Sequence, residues 1–240
     1  HDAMAQAREG YLQVHRHWLE QQARFYRCGS LQVSTEVVWA KSSLANLLEY
    51  VNDFHPDLVI KDTHYVPALD RAFHRPLDWR LLRECPTHLH LVTSARNPKP
   101  LKILAAIDLS HLEEMTQGLN DQIVDLAFTL ATTCGAELHL LNVSRWSEIS
   151  DVLKSVPTGN LDESLRDAIE DAQQEAFEVL AERYYVKDAH RHLLTGIPHK
   201  VIGSFVQQHA FDMVVLGTVY HRTPARLIGD TVESLLNRAP

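Results

Sequence analysis

Three short segments decide the fold: TGIPHKVI at 195–202, LGTVY at 216–220 and GDTVE at 229–233. Pro198 suits the first turn of a helix, because its missing N–H would have no partner there, and apolar residues then recur at helical spacing. The run 213–216 is apolar and too short for a helix, as expected of a central parallel strand. Gly217 ends that strand, and 229–231 precede a further helical pattern. A helix N-terminus with free backbone N–H groups is therefore expected there, where an anion can bind.

This glycine pattern resembles the end of a universal stress protein domain, which reads Gly-x2-Gly-x9-Gly-[Ser/Thr] after the fourth strand. The segments 217–219 and 229–233 are most similar to the tandem, E-type members. In ATP-binding relatives the two turns wrap the triphosphate. This chain has Tyr220 in place of the second glycine, and Gly229 follows Gly217 one residue early. The resemblance therefore implies a degenerate crevice that binds ATP or AMP weakly.

Composition limits the function classes. With 240 residues, 45% apolar and 22% charged, the chain can form one large or two ordinary domains. A net charge of −8 argues against a nucleic-acid surface, because phosphate contacts need a clustered basic face. No run approaches the roughly 20 apolar residues of a membrane span, and no signal segment opens the chain, so we expect a cytoplasmic protein. The three widely spaced cysteines predict neither a disulfide framework nor a zinc knuckle.

An internal repeat organises the chain. A shift of 155 residues brings Asp57-Leu58-Val59-Ile60 onto Asp212-Met213-Val214-Val215, and the apolar helix faces upstream match at the same shift. We therefore predict a first domain at 1–94, a linker at 95–100 and a second domain at 101–240. Asp62 stands where the second copy has Gly217, so the first copy is interpreted as a degenerate structural partner. The segment DWRLLRECP at 78–86 is similar to the first-domain signature of the E-type members.

The predicted fold class is α/β. The elements of the first copy are predicted to be a helix over 4–25, a strand at 31–39, a helix with its apolar face at 44–51, a strand at 57–60, a helix at 76–84 and a strand at 87–92. Those of the second copy are predicted to be a strand at 102–108, a helix ending at Gly135, a strand at 137–143, a helix from 161, a strand at 190–194 and the segments quoted first.

The resemblance implies a five-stranded parallel sheet of order 3-2-1-4-5 in each copy, with helices on both faces. From the alignment of the two copies, we expect the opening strands of copy one to lie before His1 and the last strand of copy two to lie after Pro240. The two copies are expected to pair within the chain, with a homodimer as a further arrangement.

The candidate ligand residues lie where strands end. Asp108 follows the first strand of copy two, and the carboxyl ends of strands in open α/β sheets bind ligands. The resemblance places this Asp against adenine and places a backbone contact at Val143. The alternative for Asp108 is an ordinary acid that caps the next turn, and the alternative for Gly196 is a purely structural glycine. The phosphate candidates are Gly217, Thr218, Gly229, Asp230 and Thr231, although the carboxylate of Asp230 replaces a family serine and repels phosphate.

Histidines occur in three i, i+2 pairs, at 15 and 17, 88 and 90, and 190 and 192. On a strand each pair would share one face, as a metal site requires. No acid or cysteine completes a ligand set at recognisable spacing, so we predict surface or edge histidines and no metal site. No catalytic motif is visible, which predicts a non-catalytic stress-response protein. A slow ATPase switch and a ligand-free interaction scaffold are the alternatives.

Overall fold

The computed structural model describes residues 2–39, 44–63, 77–93, 97, 99–110, 117–145, 161–218 and 230–236. The chain divides into two compact units, 1–56 and 57–240. The helices are α1 (Asp2–Tyr26), α2 (Leu44–Phe54), α3 (Leu77–Glu84), α4 (Gln117–Cys134), α5 (Leu161–Arg183), α6 (Pro198–His209) and α7 (Asp230–Leu236). The strands are β1 (Leu58–Asp62), β2 (His88–Val92), β3 (Lys102–Ile107), β4 (Glu137–Ser144), β5 (Arg191–Thr195) and β6 (Met213–Leu216).

The first unit is built on α1, which confirms the predicted long helix. The predicted strand at 31–39 is wrong, because this segment has no regular secondary structure. It is attached to α1 by side chains instead: Arg27 donates to the carboxylate of Glu20 and to the carbonyl of Val33, and the Thr35 hydroxyl donates to Glu20. The pair at 15 and 17 lies in α1, where residues two apart do not share a face.

The second unit opens with a β-α-β segment. β1 and β2 pair in parallel, with Leu58 beside His88 and Asp62 beside Val92. The connecting helix α3 buries Leu81 completely, and its Asp78 forms an ion pair of 2.8 Å with Lys61 of β1. The predicted helix and both predicted strands of this region are confirmed. The pair at 88 and 90 lies in β2.

The remainder of the second unit contains a four-stranded parallel sheet in the order β5-β4-β3-β6. Along the chain, these are the third, second, first and fourth strands of 101–240. Parallel strands need long connections, and the helices α4, α5 and α6 occupy them. The fifth strand, the complete 3-2-1-4-5 order and the domain boundaries at 94 and 101 stay predictions.

Both faces of this sheet carry a core. One consists of Ile103, Ala105 and Ile107 of β3 packed with residues of α4 and α5, including Val124 and the fully buried Phe177. The other consists of Leu104 and Ala106 of β3 with Leu141, Ile202, Phe205 and Phe211. Burial on both faces explains why β3 reads as an uninterrupted apolar run. Among the helices of the described ranges, none combines the length and the apolar character that a bilayer crossing requires.

Asp212 joins the amino ends of β3 and β6. Its carboxylate accepts hydrogen bonds from the backbone N–H groups of Leu101 and Lys102, at 2.9 and 3.0 Å, and from the side-chain amide of Asn97 at 2.7 Å. Its own N–H donates to the carbonyl of Lys102 at 3.0 Å. The acid that opens the repeated strand motif therefore aligns the last described strand with the central one.

Candidate functional site

The carboxyl ends of β3, β4, β5 and β6 meet at one edge of the sheet. The register places Ile107 beside Asn142, Ser144 beside Thr195, and Ala106 beside Leu216. Five of the predicted ligand residues occupy these strand ends or directly follow them: Asp108, Val143, Gly196, Gly217 and Thr218. The structure thus brings together residues that lie up to 110 positions apart in the sequence, from Asp108 to Thr218. We call this set of strand ends the carboxyl edge.

A buried amide side chain fixes the backbone at Asp108. Asn120 of α4 accepts from the Asp108 N–H at 3.1 Å and donates to the Asp108 carbonyl at 2.7 Å. Asn142 of β4 accepts from the next N–H, that of Leu109, at 3.2 Å. Asn120 and Asn142 are 7% and 3% exposed, so these bonds replace those that water would make. The polypeptide therefore leaves β3 along a defined path.

The carboxylate of Asp108 is exposed and caps a turn. It accepts from both the N–H and the hydroxyl of Ser110, and the N–H bond is 2.9 Å long. Asp side chains commonly bond the backbone two residues on in this way. The capping role considered for Asp108 is therefore present. Because a carboxylate has about four acceptor sites, the cap leaves room for a further donor from a ligand.

Gly196 has a structural reason to be glycine. Its φ is +142°, and a Cβ atom built there would lie 2.9 Å from a methyl group of Val201. Its N–H donates to the carbonyl of Ser144 at 2.9 Å, which extends the pairing of β4 and β5 by one residue. The chain then enters α6 with Pro198 in the first turn, as predicted. Only glycine fits this backbone without strain.

Gly217 is glycine because α4 packs directly against it. A Cβ atom would lie 2.8 Å from side-chain carbons of both Leu119 and Ile123. The close approach of a helix thus accounts for the residue at the start of the predicted phosphate turn. Thr218 follows it and is exposed.

The other predicted phosphate-binding residues, Asp230 and Thr231, lie at the start of α7 and not on a strand end. This helix packs against α6: Leu235 lies 3.5 Å from the Cβ position of Gly203. Gly229 lies outside the described residues. The contacts of the described residues therefore bring five candidates to the carboxyl edge and assign Asp230 and Thr231 to a helix beside α6.

Sequence reasoning missed Asn120 as a site residue. Its signal was present, because Asn120 stands on the helical face of Val124, Ala127 and Ala131, all of which are buried. A polar residue on an apolar face needs a buried partner, and here the partner is the backbone of Asp108. Asn142 is likewise a buried polar residue, here on a strand, where it lies between the buried residues Leu141 and Val143.

Comparisons with known proteins agree on one family. A family model described as the universal stress protein family matches residues 101–240. Universal stress protein E of Escherichia coli is 27% identical in an alignment that covers 98% of this chain and 75% of that protein. The homolog of universal stress protein E in Haemophilus influenzae is 25% identical, over 95% of this chain and 74% of that protein. The crystal structure of a universal stress protein from Pseudomonas aeruginosa superposes with a TM-score of 0.74 at 26% identity, over 93% of this chain and 74% of that one.

Proposed function

The chain belongs to the universal stress protein family, and from this premise we propose that residues 101–240 act in the stress response as a non-catalytic, ligand-responsive unit. The ligand is an adenine nucleotide, ATP or AMP, bound weakly at the carboxyl edge. The supporting observation is the network around Asp108, in which two buried amides hold the backbone while the carboxylate stays exposed. A preorganised acceptor at the strand ends of an open α/β sheet suits the amino group of a purine.

Weak binding follows from the phosphate side of the crevice. The side chains of Leu119 and Ile123 occupy the space that a Cβ atom of residue 217 would need, which leaves the packed turn little freedom to move toward a ligand. Tyr220 replaces a glycine of the family pattern, and Asp230 adds a negative charge where a serine would donate. These residues favour recognition of the base over recognition of the triphosphate.

The absence of catalysis is part of this proposal. Among the described residues of the carboxyl edge, the polar side chains include Asn142, Ser144, Thr195 and Thr218 as well as Asp108, and the adjacent Asn120 and Ser110 bond to Asp108. The hydroxyl of Ser110 donates to the Asp108 carboxylate as part of the turn, and we assign this pair a capping role and not a catalytic one. We therefore expect no release of phosphate from ATP above the background rate, and measurable hydrolysis would favour the slow ATPase switch.

The two-copy organisation is also proposed. The copies span 1–94 and 101–240, are joined by the linker at 95–100 and pair within the chain in the cytoplasm. Support comes from the equivalent strands β1 and β6, each of which follows an aspartate, Asp57 or Asp212, and pairs in parallel. Because Asp62 replaces the glycine in the first copy, we expect a stoichiometry of one nucleotide per chain.

The test is a titration of ATP and AMP into the whole protein, followed by thermal unfolding. A ligand at about 100 times its dissociation constant adds roughly 2.7 kcal/mol to the free energy of unfolding. We expect stabilisation in the millimolar range, similar for AMP and ATP because the base carries the affinity. The variant Asp108→Ala should weaken binding by about 10- to 100-fold, since one hydrogen bond to a charged group contributes about 1.5–3 kcal/mol.

The matched control is Ser110→Ala, which removes the hydroxyl bond to the same carboxylate and leaves Asp108 in place. It should bind nucleotide as the parent does. If Asp108→Ala and Ser110→Ala weakened binding equally, the turn and not the carboxylate would be responsible. No stabilisation at millimolar nucleotide would contradict the proposed ligand and favour the interaction scaffold.

A further inference from the structure

A cluster of histidines lies near the opposite, amino end of the four-stranded sheet. His139 is the third residue of β4, and the register of β4 and β5 places it beside His190, which directly precedes β5. His192, two residues on, shares that face of the sheet. The three rings stack: the centroid of His139 is 4.0 Å from that of His190 and 5.3 Å from that of His192. Glu137, at the start of β4, completes the group.

The donor atoms of three of these residues converge. One donor atom from each of Glu137, His139 and His190 lies within 4.8 Å of the other two. The distance from Oε2 of Glu137 to Nε2 of His139 is 3.7 Å. Two ligands of a tetrahedral zinc ion, each about 2.0–2.2 Å from the metal, are roughly 3.4 Å apart. The side chain of Glu137 is 55% exposed, so it can rotate to shorten these distances.

The hydrogen bonds around the cluster determine which ring nitrogens carry a proton and which keep a lone pair for a metal. Nδ1 of His190 lies 3.2 Å from the carbonyl oxygen of Leu138, and only a protonated Nδ1 can bond a carbonyl. Nε2 of His190 is then left with a lone pair. Nδ1 of His139 lies 3.0 Å from Nε2 of His192, and we assign the proton to His139. Metal-binding histidines typically donate their second N–H to a carbonyl or another acceptor in this manner.

A buried nitrogen atom of His139 without a hydrogen-bond partner points to a bound cation. Nε2 of His139 has no hydrogen-bond partner, although the residue is only 9% exposed. A buried polar atom without a partner is rare in proteins and calls for a group that it can bind. At 3.7 Å the nearby carboxylate is too far for a hydrogen bond, whereas a cation between the two would satisfy both. Glu137 also supplies a negative charge beside the two imidazole rings, which favours a cation at this position.

We propose that Glu137, His139 and His190 bind a divalent transition-metal ion of the zinc type, with His192 as the residue that orients His139. Two imidazoles and one carboxylate suit Zn²⁺ and its neighbours Co²⁺, Ni²⁺ and Cu²⁺, whereas Mg²⁺ and Ca²⁺ require oxygen ligands. Three protein ligands leave a fourth position for water or a partner's donor atom. The site lies toward the other end of the strands from the carboxyl edge, so it does not depend on nucleotide binding.

The test is a titration of Zn²⁺ into the whole, tag-free protein after treatment with a chelator, in competition with a chromophoric chelator. We expect one tightly bound Zn²⁺ per chain and no competition by millimolar Mg²⁺. With Co²⁺ in place of Zn²⁺ we expect the intense visible absorption of a four-coordinate site. Glu137→Gln and His190→Gln should each weaken Zn²⁺ binding by about 100-fold or more, since even residues behind the ligands contribute about 10–100-fold.

The matched control is His209→Gln. His209 belongs to the same aromatic cluster, with its ring 6.5 Å from that of His192, but it is not one of the three ligands. The variant His209→Gln should bind Zn²⁺ with a dissociation constant within about twofold of that of the parent. His192→Phe should retain binding with lower affinity and a changed Co²⁺ spectrum, as expected of a positioning residue.

Each variant is compared with the parent by metal-free thermal unfolding, and Glu137→Gln, which changes an exposed side chain, keeps the test independent of folding. Equal Zn²⁺ affinity in the parent and in Glu137→Gln would overturn the proposal, because the chain has 15 histidines that can bind metal nonspecifically. An uptake of several weakly held ions without a saturable first site would overturn it as well.

Discussion

At the residue scale, Asp212 offers the clearest test of stability. Replacement by Ala leaves the N–H groups of Leu101 and Lys102 and the amide of Asn97 without their acceptor. We expect the free energy of unfolding to fall by about 2–3 kcal/mol, because hydrogen bonds to a charged group contribute about 1.5–3 kcal/mol and water restores part of this loss. Urea unfolding measures the change.

The control for Asp212→Ala is Asp171→Ala, on the exposed side of α5. This surface change should stay within about 0.5 kcal/mol of the parent. If the free energy of unfolding fell by a similar amount in both variants, the loss of a negative charge, and not of the link between β3 and β6, would determine the effect.

Single residues also show what the sequence predicts well and poorly. Asp108 was predicted at a strand end because a buried apolar run stops there, which is a local signal. The apolar helix face marks Asn120 as a buried polar residue, but which backbone it contacts depends on how α4 docks, and no local pattern predicts docking. Gly217 was attributed to a phosphate turn, whereas Leu119 and Ile123 lie 2.8 Å from its Cβ position. A close approach between distant segments requires the same residue as a ligand turn, so the sequence alone does not separate the two causes.

At the element scale, the carboxylate of Glu20 provides part of the attachment of the segment 27–39 to α1, alongside the contacts of Arg8 and Tyr11 with Trp39. Hydrogen bonds from Arg27 and then Thr35 lower the pKa of Glu20 to about 2, from 4.5 in the unfolded chain. A carboxyl group with a lowered pKa stabilises the folded state above pH 4.5, and that contribution is lost as the pH falls through 2. We therefore expect the attachment of the segment to α1 to weaken between pH 4.5 and 2, detected by NMR as loss of the contact between Thr35 and Glu20.

Titration of Glu20 followed by NMR checks the cause. Thr35→Val removes one of the three hydrogen bonds that the Glu20 carboxylate accepts and should move the pKa of Glu20 upward, while Glu20→Gln should abolish the pH dependence of the segment. A pKa near 4.5 in the parent would contradict the attachment seen in the structure.

The elements themselves were mostly predictable, because hydrophobic periodicity is local. The helices α1, α2, α4 and α6 and the strands β1 to β6 lie where the pattern places them. The error at 31–39 has a physical reason: β-branched residues favour extended backbone, but a strand forms only with a neighbour to pair with. The cluster of Glu137, His139 and His190 escaped prediction for a related reason, since its spacing of 53 residues from 137 to 190 follows from strand register alone.

At the scale of the whole molecule, backbone amides in the middle of the sheet should be the most strongly protected from hydrogen exchange. β3 pairs on both edges and is buried on both faces, while β5 is the outermost strand on its side of the described sheet. We expect the amides of 103–106 to exchange only on global unfolding and those of 191–195 to exchange through smaller openings. Exchange measured over a series of low urea concentrations separates the two classes.

The variant Asp212→Ala sharpens this measurement. It should lower the protection of β3 by the same free energy that urea unfolding reports, since both monitor global unfolding. If β5 were protected as strongly as β3, the second unit would open in a single cooperative step.

The strand order also dictates a sequence of events on the ribosome. β3 meets β4 early, but its other edge waits for β6, which begins 69 residues after β4 ends, from Ser144 to Met213. At about 5–20 residues per second, translation leaves that edge open for roughly 3–14 s. During this interval the nascent chain displays an apolar strand with unpaired backbone groups, the kind of surface that recruits chaperones or other chains. Its exposure ends when Asp212 emerges and secures β6 beside β3.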